Sequence, residues 1–242
     1  NMERLRWIDS GRPDKYVLVN IPSATLWAVE GGDVKLEMPV IVGKTARPTY
    51  SFKTEITGVR FNPNWTVPPT IKNQDFLPAL RSDPNVLTRR GIRLTYRGKE
   101  VDPSKVDWKT VTSRGLANVS MVQNPGDDNP LGKVRVIMEN PYNIYLHDTN
   151  HREMFEQGGD RTLSSGCIRV SQPEKLADFI LSGNEGWSWS GMEKMIDSGR
   201  MRDVRAEESL PVYITYQTVW LDSDGRLVYG RDVYGQGAKL TG

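Results

Sequence analysis

YVLVNIPSATLWAVEGGDVKLEM, residues 16–38, is the stretch on which the fold turns. Residues 16–21 and 25–29 are β-branched and aromatic runs, Glu30-Gly31-Gly32-Asp33 supplies a turn, and residues 34–38 alternate apolar and polar with period two. Such alternation sets one row of side chains against a core and the other in water, which predicts a meander in an antiparallel sheet. VIVG at residues 40–43 and GVRFN at 58–62 continue the strand pattern.

Downstream of this meander the character changes. Pro63, Pro68 and Pro69 punctuate the chain, residues 75–81 carry a short helical pattern, and a polar, arginine-rich stretch runs to about residue 122. Proline cannot donate to a ladder, so this segment reads as an insertion into the sheet rather than part of it. Turn residues 124–130 (NPGDDNP) lead back to strands at 133–139 (KVRVIME) and 143–146 (NIYL). Two helices follow: Ser171-Gln172-Pro173-Glu174 is a capping-box pattern with Gly183 as its stop, and Ser190-Gly191-Met192-Glu193 repeats it with Gly199 at the end. PVYITYQTVWL at 211–221 reads as a long strand, with a turn at 222–225 leading to a last one at 226–229. The expected class is mainly β with a few helices, α+β.

Composition removes several functions. In 242 residues, 32 basic side chains oppose 30 acidic ones, a net charge of +2 that leaves no footprint for nucleic acid. A single cysteine excludes an intramolecular disulfide framework and any cysteine-built metal cage. No run of about 18 apolar residues exists to suggest a membrane helix. The chain opens Asn1-Met2 without the layout of a signal peptide, which reads as an excised segment of a longer protein.

The one thiol, Cys167, stands in Ser164-Ser165-Gly166-Cys167-Ile168-Arg169-Val170. Small neighbours leave a sulfur accessible, glycine permits unusual backbone geometry, and the successive amides of Gly166 and Cys167 suit an oxyanion. A thiol with an ordinary pKa near 8.5 benefits from an imidazole base. Only His147 and His151 exist. His147 closes a predicted strand and is held rigidly, whereas His151 lies in the polar run Asp148-Thr149-Asn150-His151-Arg152, so His147 is the expected base and His151 a solvated side chain. Their spacing of four lacks the glutamate and helix of a zinc site, so no metal and no cofactor is expected.

Ile144-Tyr145-Leu146-His147-Asp148-Thr149, followed by the cysteine motif, resembles the active site of YkuD-type L,D-transpeptidases, and within them the larger YcbB-like branch. The similarity extends to Phe61-Asn62-Pro63-Asn64-Trp65-Thr66-Val67-Pro68-Pro69-Thr70-Ile71, to Asn124-Pro125-Gly126 with Leu131-Gly132, and to Asn1-Met2-Glu3-Arg4. It implies a YkuD-like β-sandwich catalytic core over residues 1–69 and 123–242, with 70–122 an inserted capping subdomain. It implies that His147 activates Cys167, which attacks a donor tetrapeptide stem of peptidoglycan, expels D-alanine and passes the acyl group to the amine of a neighbouring stem as a 3-3 crosslink. Asp148 is then the expected orienter of the imidazole, through its carbonyl. Tyr145 is an expected oxyanion partner, and Arg169 a support for the loop or a substrate carboxylate. Carbapenem-type β-lactams follow as covalent inhibitors, an extracytoplasmic, periplasmic location as the setting, and a parent protein with a membrane anchor or further wall-binding domains as the context.

Ser165 stands where most of the wider family carries a second histidine, so that histidine's role is not carried over. A sortase-like transpeptidase shares the order His, Cys, Arg but separates His from Cys much further. A catalytically silent wall-binding module would have lost Cys167 or His147, and both are present.

Overall fold

The computed structural model describes residues 13–156, 159–221 and 224–237. Asn1-Met2-Glu3-Arg4 and Asp222-Ser223 lie outside the described residues, as does Gly158.

The opening meander forms β1 (Lys15–Asn20), β2 (Thr25–Glu30) and β3 (Asp33–Gly43). Two predicted strands at 34–38 and 40–43 are thus one, and Pro39 marks its change of partner: up to that point β3 pairs with β2, and beyond it Val40 and Ile41 pair with β12 (Ile168–Val170). The remaining strands of the main sheet are β4 (Phe52–Phe61), β9 (Val134–Met138), β10 (Leu146–His147), β11 (Thr162–Ser164) and β13 (Arg202–Thr215). Their order is β11-β3-β12-β10-β9-β4-β13-β1-β2, and the β2–β3 pairing folds the sheet back on itself. The architecture is mainly β with several helices.

The sheet is mixed rather than antiparallel, because β1 runs parallel to β13, β10 to β12 and β11 to β3. A parallel pair needs a crossover, and the chain between His147 and Ile168 is the one that matters here. Alternation along the strands buries Val17, Val19, Leu26, Met38, Val40, Val134, Val136, Leu146, Ile168, Val212 and Ile214 in one cluster. Onto it pack α5 (Pro173–Leu181) through Leu176 and Ile180 and α6 (Trp189–Asp197) through Met192. The capping boxes differ from expectation. Gln172 precedes α5 and makes no side-chain cap, Glu174 being drawn to Arg152 at 2.7 Å, while α6 is capped by Ser188, whose Oγ accepts from Gly191 N.

Residues 65–123 build a second sheet, β5-β8-β6-β7, from β5 (Trp65–Thr66), β6 (Ile92–Tyr96), β7 (Lys99–Val101) and β8 (Val119–Gln123). Four helices join it: α1 (Pro69–Ile71), α2 (Leu77–Ser82), α3 (Val86–Arg89) and α4 (Ser113–Ala117), with a π-helical turn, Lys72–Phe76, between the first two. Their apolar sides meet in a separate core of Val67, Phe76, Leu80, Leu87, Leu94, Trp108, Leu116 and Met121. Each such side chain contributes roughly 1.5–3 kcal/mol on burial, enough to hold a small layer of its own. Asn129, fully buried, ties the two connections to the main sheet by donating to the carbonyls of Pro63 (2.9 Å) and Asn124 (3.0 Å).

Candidate active site

Strand pairing puts the chemistry in one place. Arg135 on β9 pairs with His147 on β10, which pairs with Arg169 on β12, so these three side chains form a row across the sheet. Leu146 and Ile168, the register partners one step away, are wholly buried. Side chains alternate between faces, so His147 and Arg169 share the face opposite that core, and one residue outside β10 and β12 the Tyr145 ring meets Arg135 while the Cys167 sulfur lies within the field of Arg135 and Arg169. The ladder extends one level through Ile168 N donating to Tyr145 O at 2.9 Å, which brings Cys167 level with Tyr145. Cys167, one residue before β12, and His147 are therefore diagonal neighbours across the β10–β12 pairing, roughly 7–8 Å apart at the backbone. In this conformation the thiol turns to the carbonyl of Asn143, at 3.6 Å.

The predicted strand at 143–146 begins only at Leu146. Asn143 has φ of 53°, and Asn140 accepts from Tyr142 N and Ile144 N (both 3.1 Å), closing a turn instead. His147 is the closing residue of this short strand.

His147 is 5% exposed. Its Nδ1 is 2.5 Å from the carbonyl oxygen of Asp148. A carbonyl only accepts, so Nδ1 carries the proton and Nε2 is left with a free lone pair. Burial lowers the imidazole pKa to about 4, with the Asp148 carbonyl opposing and the charges of Arg169 and Arg135 adding to the shift. The ring is a neutral base at pH 7. Asp148 is itself fixed: its Oδ2 accepts from Lys133 N at 2.8 Å, and Arg152 approaches Oδ1 to 3.1 Å. Gly132, at φ 59°, makes room for that carboxylate, since a Cβ there would stand 2.2 Å from Asp148 Oδ2.

Cys167 is partly buried. Burial pushes its thiol pKa up, while the Tyr145 backbone amide and the charges of Arg135 and Arg169 oppose the shift without overcoming it. Thiol and imidazole are thus both neutral at rest, and the arrangement suits proton removal during attack rather than a preformed ion pair.

The loop before the sulfur is heavily buttressed. Gly166 has φ of 114°, its amide donates to Ser164 Oγ at 3.1 Å, and that hydroxyl donates onward to Cys167 O at 2.5 Å. The Gly166 amide is therefore engaged and not the free oxyanion donor that the sequence suggests. The Cys167 amide has no acceptor among the described residues. Gly166 O accepts from Thr49 Oγ1 at 2.8 Å, and Thr49 Oγ1 accepts from Gly43 N at 2.9 Å. Ser165 is exposed and accepts from Arg47 Nη1 at 3.0 Å. The same guanidinium reaches Gln74 at 2.9 Å and Asp75 at 2.6 and 2.7 Å, linking the cysteine loop to the second sheet's helical segment.

The other named residues fall as follows. The ring of Tyr145 lies under the Arg135 guanidinium at 4.7 Å, so its face is taken by a cation, and it is the backbone amide of Tyr145 that reaches the sulfur. Arg169 points a nitrogen at Met154 Sδ, 3.3 Å away. His151 is exposed and pairs with Glu153 at 3.0 Å. Trp65 packs on Phe76 at 6.2 Å. Arg135, Arg47 and Thr49 escape a motif search, although the alternation of residues 133–139 already sets Arg135 on the face opposite Val134 and Val136.

These features coincide with known families. The model of the YkuD L,D-transpeptidase catalytic domain matches residues 14–214, and the chain belongs to that family. A curated Haemophilus influenzae protein assigned by name to the L,D-transpeptidases is 34% identical over 244 residues, covering all of this chain and 48% of that protein, so the chain spans about half the length of the curated relative it matches. Among solved structures, an L,D-transpeptidase from Mycobacterium smegmatis aligns with 84% of this chain and 58% of its own, at 15% identity and a TM-score of 0.40. The catalytic domain of an Enterococcus faecium L,D-transpeptidase acylated by ertapenem aligns with 85% and 99%, at 14% identity and a TM-score of 0.40. Among the described residues no helix is long and apolar enough to cross a membrane.

Proposed function

We propose that this chain crosslinks peptidoglycan outside the cytoplasm, joining stem peptides 3-3 through a thioester on Cys167. His147 Nε2 removes the thiol proton as sulfur attacks the carbonyl before the terminal D-alanine of a donor tetrapeptide. The C–N bond breaks, the imidazolium returns the proton to the departing amine, and D-alanine leaves. The amine of a neighbouring stem then attacks the thioester, losing a proton to His147 and expelling the thiolate. The Cys167 amide and the positive charge of Arg169 favour the developing oxyanion. Residues 65–123 act as a cap over this face, held to the cysteine loop by Arg47. Carbapenems acylate the same sulfur.

The observation that carries this reading is the parallel pairing of β10 with β12, which sets Cys167, one residue before β12, beside an imidazole whose Nδ1 is tied down and whose Nε2 is free. Intact-mass spectrometry with a disaccharide-tetrapeptide tests it. Wild type gains the tripeptide acyl mass with release of D-alanine, and Cys167→Ala does not. No adduct on wild type, or the same adduct on both, overturns it.

A further inference from the structure

The row containing His147 extends further than the site needs. Asp203 on β13 pairs with Arg60 on β4, Arg60 with Arg135, Arg135 with His147 and His147 with Arg169. Four of the five are cationic or basic, and only one cation is neutralised within the row: Arg60 grips Asp203 through two bonds of 2.6 Å. Arg135 has no carboxylate within ion-pair distance among the described residues. Its Nε is buried with no hydrogen-bond partner, and its guanidinium carbon stands 4.7 Å over the centre of the Tyr145 ring.

A partly buried, unpaired guanidinium is costly unless something anionic arrives to complete it. Its neighbourhood says what that anion belongs to. Stacking on Tyr145 leans the side chain from the His147 level toward the level of Cys167, and the planar fork presents paired N–H donors, the geometry that suits a carboxylate. In a peptide whose leaving residue is its last, the C-terminal carboxylate carbon is about 3–4 Å from the carbonyl carbon under attack. One residue's length therefore separates the sulfur's target from an anion that Arg135 can take.

We infer that Arg135 binds the free C-terminal carboxylate of the acyl donor and thereby selects donors whose leaving group is a single terminal amino acid. The inference rests on the thioester reading above. When sulfur bonds to the carbonyl and the C–N bond breaks, the imidazolium proton passes to the nitrogen, and the leaving residue departs with a neutral amine and its carboxylate released from Arg135, its amine taking a further proton from water afterwards. A stem that continues beyond that residue, or ends in an amide, offers no anion there.

The test compares the rate of Cys167 acylation by a tetrapeptide donor and by the same donor with a C-terminal amide. Charge-assisted hydrogen bonds of this kind set the expected scale: wild type prefers the free acid by about 10- to 100-fold, and Arg135→Gln brings the two donors to within about threefold by raising the KM for the acid. Arg135→Lys keeps the charge without the fork and falls between them, which guards against a variant that merely folds poorly. Wild type acylated equally by both donors, Arg135→Gln with an undiminished preference, or a preference lost in Arg169→Gln alone, overturns the assignment. Wild type acylated by neither donor overturns the thioester reading instead.

Discussion

Arg47 and Asp75 are joined by two parallel bonds of 2.6 and 2.7 Å, and the same guanidinium stands 3.0 Å from Ser165 Oγ, two residues from the sulfur. One side chain thus connects the second sheet's helical segment to the cysteine loop. The Arg47 side chain is only 11% exposed, whereas Asp75 is 47% exposed. The pair raises the arginine pKa and lowers that of the carboxyl through their mutual hydrogen bonds. A double-mutant cycle of Arg47→Ala and Asp75→Ala, read by thermal melting, is expected to give a coupling of about 1 kcal/mol. Acylation separates the two. Arg47→Ala, which frees Ser165 as well, slows it by about tenfold, and Asp75→Ala by less. Equal losses of rate would mean that the contact with Ser165 is idle.

The depressed pKa of His147 fixes the shape of the pH profiles. Because the ring is neutral in the folded protein down to about pH 4, alkylation of Cys167 by iodoacetamide shows no inflection near 6.5. The rate instead climbs on the alkaline side, above the thiol's ordinary value. His147→Gln lowers the neutral rate by about 10²–10³. Between about pH 4 and the ordinary value of 6.5 the unfolded chain binds a proton that the folded one refuses, so stability falls as pH drops through that window. The loss amounts to roughly 3 kcal/mol, and His147→Gln removes it. Denaturant melts of both proteins at pH 4.5 and 7.5 check this.

Gly132 carries the orientation of that histidine at one remove. A methyl group there meets Asp148 Oδ2 at 2.2 Å in a backbone of φ 59°, whereas Gly225, at φ 76°, has open space around it. Gly225→Ala is expected to cost about 1 kcal/mol for backbone strain alone, and Gly132→Ala about 2–4 kcal/mol because the carboxylate must also move. Displacing Asp148 also displaces the carbonyl that holds Nδ1, so Gly132→Ala slows Cys167 alkylation at pH 7 while Gly225→Ala leaves it alone. Equal effects would remove Gly132 from the site.

Cys167, His147 and Ser165 are legible in the sequence because each belongs to a short contiguous motif. So is the strand-rich class, because alternation in residues 16–43 is a local property. What escapes is register. Arg135 joins His147 only because β9 pairs with β10, and Thr49 meets Gly166 across 117 positions of sequence. The parallel pairing of β10 and β12 escapes for the same reason, since strand direction is set by the crossover and not by the strands' own residues. Gly166 errs in a different way: its amide looks free until Ser164 is seen to accept from it. Local competitors explain the helix starts, where Ser188 takes the cap that Ser190 was expected to supply.

Thr49 gives the sharpest test of the loop that carries the sulfur. It is 1% exposed, its hydroxyl donates to Gly166 O and accepts from Gly43 N, and its own amide donates to Tyr234 Oη at 3.2 Å. Thr49→Val keeps the shape and removes the hydroxyl, leaving a buried carbonyl and a buried amide without partners. Stranding polar groups in this way costs about 1–3 kcal/mol each, whereas Thr49→Ser keeps both bonds and loses only a methyl group. The same loss loosens Gly166, whose φ of 114° aims Cys167 into the shared face. Thr49→Val should therefore lower both the melting temperature and the acylation rate, and Thr49→Ser should recover most of the rate. If Thr49→Val acylated at the wild-type rate despite a lower melting temperature, the hydroxyl would hold the fold but not the nucleophile.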